Sequence, residues 1–188
     1  MPETNDQQRR IIRETLQRDA ERYIDERVDR YIEVQHQGVI PNHHFADAST
    51  ECLYLYRDGH FLSVMMVSQA VAEGVFRFVA ERNDVSFEEG QQKPAQSKIL
   101  VEKEIISQEC KTCFDRIWKS FRNDLHHMNP KVAQIPVKRL AKQDIRDLSS
   151  IENEIFAWRG HDGKIVPVNP KYWDIQSDGA VPVFLRFP

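Results

Sequence analysis

Apolar residues recur at three- and four-residue steps along most of the chain, the pattern of amphipathic helices. The first such stretch, about Asp6 to Val34, sets Ile12, Leu16, Tyr23, Ile24, Val28, Tyr31 and Ile32 on an otherwise charged background. One narrow stripe is expected to pack in a bundle or a dimer, with Glu21, Arg22, Asp25 and Asp29 on a solvated face. Gly38 and Pro41 end this helix. A second helix is predicted from about Ala46 to Arg57, closed by Asp58-Gly59.

A third helix, His60 to about Arg82, is the most apolar. Leu62, Met65, Met66, Gln69, Ala70, Glu73, Phe76 and Val79 are expected around its buried side. An ionised Glu73 near a core needs solvent or a cation from another helix, because uncompensated desolvation costs on the order of several kcal/mol. The polar run Asn83 to Ser97 reads as a surface loop. A fourth helix is predicted from near Ser97 to about His127, with Ile106, Cys110, Cys113, Phe114, Ile117, Trp118, Phe121 and Leu125 as its apolar stripe. Pro130 ends it. A fifth covers about Lys142 to Ala157, with Ile145, Leu148, Ile151, Ile155 and Phe156 inward.

Beyond it the pattern changes. Ile165-Val166-Pro167-Val168 and Val181-Pro182-Val183-Phe184-Leu185 are β-like, with turns at Asp162-Gly163 and Asp178-Gly179. At most a small two-stranded ribbon on the helices is expected. The prediction is a mainly α fold: an antiparallel bundle of about five helices with a small C-terminal β-like extension. Residues 1–36 form a charged amphipathic helix, 45–157 the bundle and 158–188 the tail.

The 188 residues suit one domain with a real core. The formal net charge of −3 confines any nucleic-acid surface to a local basic cleft. The N-terminus lacks the pattern of a secretory signal, and Phe61 to Ala80 is broken by Ser63, Ser68, Gln69, Glu73 and Arg77. A cytoplasmic protein with no membrane partner is expected. Three cysteines fit a reducing compartment. Cys110 and Cys113 have CxxC spacing but lie within a helix on its apolar stripe, where buried small side chains are expected. His43 and His44 read as an ordinary polar loop. No cofactor motif is present and no metal is expected.

The densest polar cluster is Arg122-Asn123-Asp124-Leu125-His126-His127, at the predicted end of the fourth helix. Arg122 shares a helical face with His126, and Asn123 with His127. Arg122 and His127 are five apart, so a straight helix splays them by about 140°. Convergence on one ligand then requires a break in the helix end or a second subunit. The alternative is a capped helix terminus, with cations on its carbonyls and Arg122 paired to Glu73.

Arg122-Asn123 followed by His127 resembles the Arg-Asn-x-x-x-His signature of the HEPN (higher eukaryotes and prokaryotes nucleotide-binding) superfamily. The long apolar helix, the aromatic run Ile117-Trp118-Lys119-Ser120-Phe121 and the mid-helix acid Glu73 match that context, over about residues 45 to 157. The resemblance implies a compact helical bundle that dimerises with two motifs facing each other. It implies a metal-independent endoribonuclease of toxin, phage-defence or RNA-processing systems, with an antitoxin or other protein as partner. Other members of the superfamily are catalytically silent and bind nucleotide, RNA or protein. On this reading His127 is the general base or acid, Arg122 binds the scissile phosphate and Asn123 orients one of them. His126, Lys119 and Lys131 contact RNA, with Lys138 and Arg139 as further candidates, and Glu73 holds Arg122. Members modified by a partner nucleotidyltransferase carry a tyrosine two residues after the histidine; here Asn129 stands there.

Overall fold

The computed structural model describes residues 5–34, 36–119, 121, 124, 127 and 129–186. Among these lie seven α-helices: α1 (Asn5–Arg22), α2 (Ile24–Ile32), α3 (Ala46–Asp58), α4 (Phe61–Arg82), α5 (Lys93–Glu102), α6 (Gln108–Lys119) and α7 (Val137–Ile155). The protein is mainly helical, and α3, α4, α6 and α7 form its bundle. Each is antiparallel to the next. Phe45, just before α3, meets Phe78 of α4, whereas Tyr56 near the end of α3 meets Phe61. Gln69 reaches Ile117 and Phe76 reaches Phe114. Ser107, just before α6, bonds Glu154, and Arg116 bonds Asp147. Phe76, Phe114, Ile117, Ile145, Ile151 and Phe156 are completely enclosed between these helices. By length and composition α4 is apolar enough to cross a membrane, but most of it is packed inside the bundle.

Helix boundaries follow local chemistry. Gly59, at φ +87°, caps α3 by donating its N–H to the carbonyls of Leu55 and Tyr56. Pro94 in the first turn starts α5. The helix predicted from Ser97 to His127 is interrupted between Glu102 and Gln108, among the described residues. Glu104 turns the chain at φ +56°, and the Ser107 hydroxyl accepts the Cys110 N–H at 3.0 Å as a new N-cap. Glu154 of α7 fixes that cap by accepting the Ser107 N–H at 2.7 Å. The first predicted helix also divides, at Tyr23. The loop expected over 83–97 gives way to α5 at Lys93, and α7 begins five residues before the predicted Lys142, straight after Pro136.

The buried side of α4 is rotated from the predicted one. Met65, Gln69, Phe76 and Val79 are buried, but Leu62, Met66 and Ala70 are exposed. Val64, Ser68, Val71, Ala72 and Val75 take the interior instead. Buried Ser68 lies against Asp144 of α7, its hydroxyl 3.4 Å from the carboxylate, and also donates to the Met65 carbonyl at 3.3 Å. Phe121, expected in the core, is exposed.

The tail also departs from one simple ribbon. β3 (Lys164–Pro167) does not pair with the 181–185 segment but forms a hairpin with β2 (Trp158–His161), a strand the sequence pattern did not mark, around the expected turn at Asp162-Gly163. A second ladder joins β1 (Val39–Pro41) to β4 (Val183–Leu185), antiparallel, with Ile40 opposite Phe184. The chain end is thereby stitched onto the loop before α3. Between the ladders Tyr172 and Trp173 are buried in the core.

Candidate functional site

The site begins where α6 ends. The Gln69 amide on α4 donates to the Ile117 carbonyl at 3.2 Å. This bond clamps the end of α6 to α4. α6 stops at Lys119, and Phe121 stands at φ +28°, in the left-handed region that bulky residues rarely occupy. The helix therefore does not run unbroken to His127 as predicted, and the splay of a straight helix does not carry across this point. Arg122, Asn123 and His126 lie outside the described residues. His127 is exposed. The turn around it is closed by the Asn129 N–H, which donates to the Asp124 carbonyl at 2.9 Å. The Asn129 side chain then accepts the Lys131 N–H at 3.1 Å, capping a short 3₁₀ turn, Pro130–Gln134. Asn129 thus has a structural use as the cap of this turn.

Glu73 meets the cation that its position called for. Its carboxylate accepts from Lys93 Nζ at 2.6 Å and from Arg77 Nε at 2.7 Å. Burial alone would push this carboxyl up; the Lys93 bond and then the Arg77 bond outweigh it and hold Glu73 below the usual range. The expectation that Glu73 holds Arg122 falls on a residue outside those described. Lys93 Nζ also lies 5.4 Å from the Phe76 ring centre and 5.6 Å from that of Trp118. A pocket of about 250 Å³ opens here, lined by Gln69, Glu73, Gln92, Lys93, Trp118 and Lys119 among others. The Trp118 indole N–H is buried in its wall with no acceptor among the described residues. Lys93 was not legible as a site residue, because twenty positions and a loop separate it from Glu73. Pro94 alone, as a helix-start signal, marks its place.

Lys119, Lys131, Lys138 and Arg139 are all exposed, and none forms an ion pair among the described residues. Because α6 runs antiparallel to α7, the end of α6 and the start of α7 share one end of the bundle. There is no acidic residue between Asp124 and Asp144. Lys142 is the exception among the cations of this stretch: it binds Glu33 at 2.6 Å. That bond, opposed by burial and aided by the Tyr56 hydroxyl, holds the Glu33 carboxyl below its usual range.

The other candidates fall elsewhere. His43 packs at 4.3 Å between ring centres on Phe78, and its Nε2 lies 3.0 Å from the Tyr172 carbonyl oxygen. Phe78 is about 13 Å along α4 from Gln69, so His43 belongs to the opposite end of the bundle. Cys110 and Cys113 are buried free thiols in α6, as their place on the apolar stripe predicts. Among the described residues no group of three or more His, Cys, Asp or Glu side chains is placed to hold a metal ion. No family model matches this chain, and neither the curated proteins nor the solved structures hold a significant match to it.

Proposed function

We propose that this chain is a HEPN-type, metal-independent endoribonuclease. The observation that supports the reading is that His127, Lys119, Lys131, Lys138 and Arg139 are exposed, that these four cations form no ion pair among the described residues, and that no acidic residue lies between Asp124 and Asp144 in the sequence. Unpaired cations are what a phosphate backbone neutralises, and they lie on a chain whose overall charge is negative. The antiparallel bundle, with Glu73 inside it, fits the same superfamily.

In the reaction, one basic group takes the proton of a ribose 2′-hydroxyl and the 2′-oxygen attacks the adjacent phosphorus. The bond from phosphorus to the 5′-oxygen breaks, that oxygen receives a proton, and a 2′,3′-cyclic phosphate remains. His127 is suited to one of the two proton transfers at neutral pH. Arg122 supplies a permanent planar cation for the phosphoryl oxygens, with Asn123 orienting it and His126 against the substrate. Lys119, Lys131, Lys138 and Arg139 hold the flanking backbone. The active form is a homodimer in the cytoplasm, and the activity suits a toxin or defence system in which a protein antitoxin restrains it.

The test is RNA cleavage by the purified full chain in EDTA, with cyclic-phosphate ends scored on the products. Wild type cuts; Arg122→Ala and His127→Ala do not, with unchanged circular dichroism. Full activity in either variant overturns the assignment. RNA binding without cleavage by wild type converts the protein to the silent, RNA-binding class of the same superfamily.

A further inference from the structure

The cavity of about 250 Å³ beside Glu73 joins three helices: Glu73 comes from α4, Lys93 from the first turn of α5, and Trp118 and Lys119 from the last turn of α6. The Glu73 side chain is 23% exposed and that of Lys93 34%, so both can reach a ligand there. Their bonds are one-sided. Glu73 Oε1 accepts from Lys93 Nζ and from Arg77 Nε, whereas Oε2 has no partner among the described residues. Lys93 Nζ gives one hydrogen to Glu73 and makes no second hydrogen bond among those residues, which leaves it two N–H donors. The cavity therefore shows a carboxylate acceptor and a cationic donor side by side. The Trp118 ring, stacked on Phe114, supplies an apolar wall, and Lys119 is an exposed cation in the same lining.

Size and hydrogen-bonding pattern identify the occupant. The volume falls below the roughly 300–1,000 Å³ of sites for drug-sized molecules, so it suits a single ring system. A donor beside an acceptor selects a base by its Watson–Crick edge. Guanine matches furthest. Its edge sets O6, an acceptor, next to N1–H and the 2-amino group, two adjacent donors. One oxygen of an ionised carboxylate can accept both, and O6 then accepts from Lys93 Nζ. Adenine and cytosine offer one amino donor beside a ring nitrogen, and uracil one N–H between two carbonyls. Each gives the carboxylate one edge donor where guanine gives two.

We infer that this cavity is a guanine-binding subsite, with Glu73 and Lys93 reading the Watson–Crick edge and Lys119 meeting the attached phosphate. Its use rests on the nuclease reading, to which it adds a preference for guanine beside the cleaved bond; the binding itself does not.

Magnetic resonance titration of the full-length chain with 5′-nucleotides tests it, followed at the indole N–H of Trp118, which lies in the cavity wall. Guanosine monophosphate shifts this signal and binds about tenfold more tightly than adenosine, cytidine or uridine monophosphate, near the low end of what a bidentate base contact discriminates. The 1-methyl analogue of guanosine monophosphate, with its N1 donor blocked, binds no better than adenosine monophosphate. Lys119→Gln weakens binding of guanosine monophosphate and leaves that of guanosine unchanged. Glu73→Gln removes the preference, and the 1-methyl comparison repeats that test on unaltered protein. Four nucleotides that bind alike, a Trp118 signal that does not move, or a 1-methyl analogue that binds as well as its parent each overturn the inference. Cleavage is scored separately. A chain that binds guanine without cutting RNA refutes the nuclease reading alone, and one that cuts RNA without this binding refutes the subsite alone.

Discussion

The Gln69 amide on α4 donates to the carbonyl of Ile117, two residues before the end of α6. Both residues are buried, and the bond tethers the last turn of α6 to the helix that carries Glu73. Replacing Gln69 by Leu keeps the volume but leaves the carbonyl without this donor in a dry setting. The expected cost is about 1–3 kcal/mol of unfolding free energy. Urea denaturation of Gln69→Leu against wild type measures it. A change below a few tenths of a kcal/mol would show that the clamp is not needed.

Glu73 gives the fold an acid-sensitive contact. Its carboxyl is held below the usual value of 4.5 in the folded protein, burial opposing and Lys93 and Arg77 prevailing. A group depressed in this way stabilises above its unfolded pKa, and that contribution is lost as pH falls through the lower folded value. Lys93→Met removes the stronger of the two favourable bonds and lets burial raise the carboxyl. The acid-unfolding midpoint, followed by circular dichroism, is expected to move to higher pH in Lys93→Met. Adding Glu73→Gln to that variant should return the midpoint toward wild type, and a double variant as acid-sensitive as Lys93→Met would refute the linkage.

Much of the bundle was legible because its apolar residues recur at helical period: Ile145, Leu148, Ile151, Ile155 and Phe156 are all buried as the spacing requires. What was not legible depends on contacts between distant residues. The break before α6 is made by Ser107, whose cap is completed by Glu154 from another helix, 47 positions along the chain. On α4, Ser68 is buried facing Asp144 of α7 while Leu62 and Met66 stay outside, a choice that the neighbouring helix makes and hydrophobicity alone does not. The pairing of β1 with β4 joins segments over 140 residues apart, beyond any local pattern. At the candidate site, the motif and its basic surroundings were readable as residue types. Lys93 and the Gln69 clamp were not, because only the folded chain brings them to Glu73 and Ile117.

The three cysteines are expected to be chemically silent in the native state. Cys52, Cys110 and Cys113 are buried free thiols. For Cys113, burial first and then the neighbouring Asp147 carboxylate push the thiol up to about 12. Burial also raises Cys52 and Cys110. Thiolate, the reactive form, is therefore scarce near neutral pH. A chromogenic disulfide reagent at pH 8 should label all three thiols at one slow rate that matches unfolding, and label them at once in denaturant. One thiol reacting rapidly in the native protein would contradict this burial.

Arg186 is the last described residue, yet its side chain is only 1% exposed, against 2% for its partner Glu152. It grips both Glu152 oxygens, at 2.7 and 2.8 Å, and also donates to Ser49 at 2.7 Å and Thr50 at 3.0 Å. Ser49 adds a 2.6 Å bond to the same carboxylate. A bidentate pair this deep is costly to desolvate, so its net worth against an apolar pair is small, but breaking it strands a charge. Arg186→Leu should therefore destabilise by about 3–5 kcal/mol, because Glu152 remains enclosed without its cation. Arg186→Leu/Glu152→Leu should recover a large part of that loss. Deleting residues 181–188 should cost at least as much as Arg186→Leu, since it also removes the strand that pairs with Val39–Pro41. Equilibrium urea unfolding of the three variants decides the matter. If Arg186→Leu falls within 1 kcal/mol of wild type, the C-terminal segment is a covering on the bundle; the expected loss makes it part of the core.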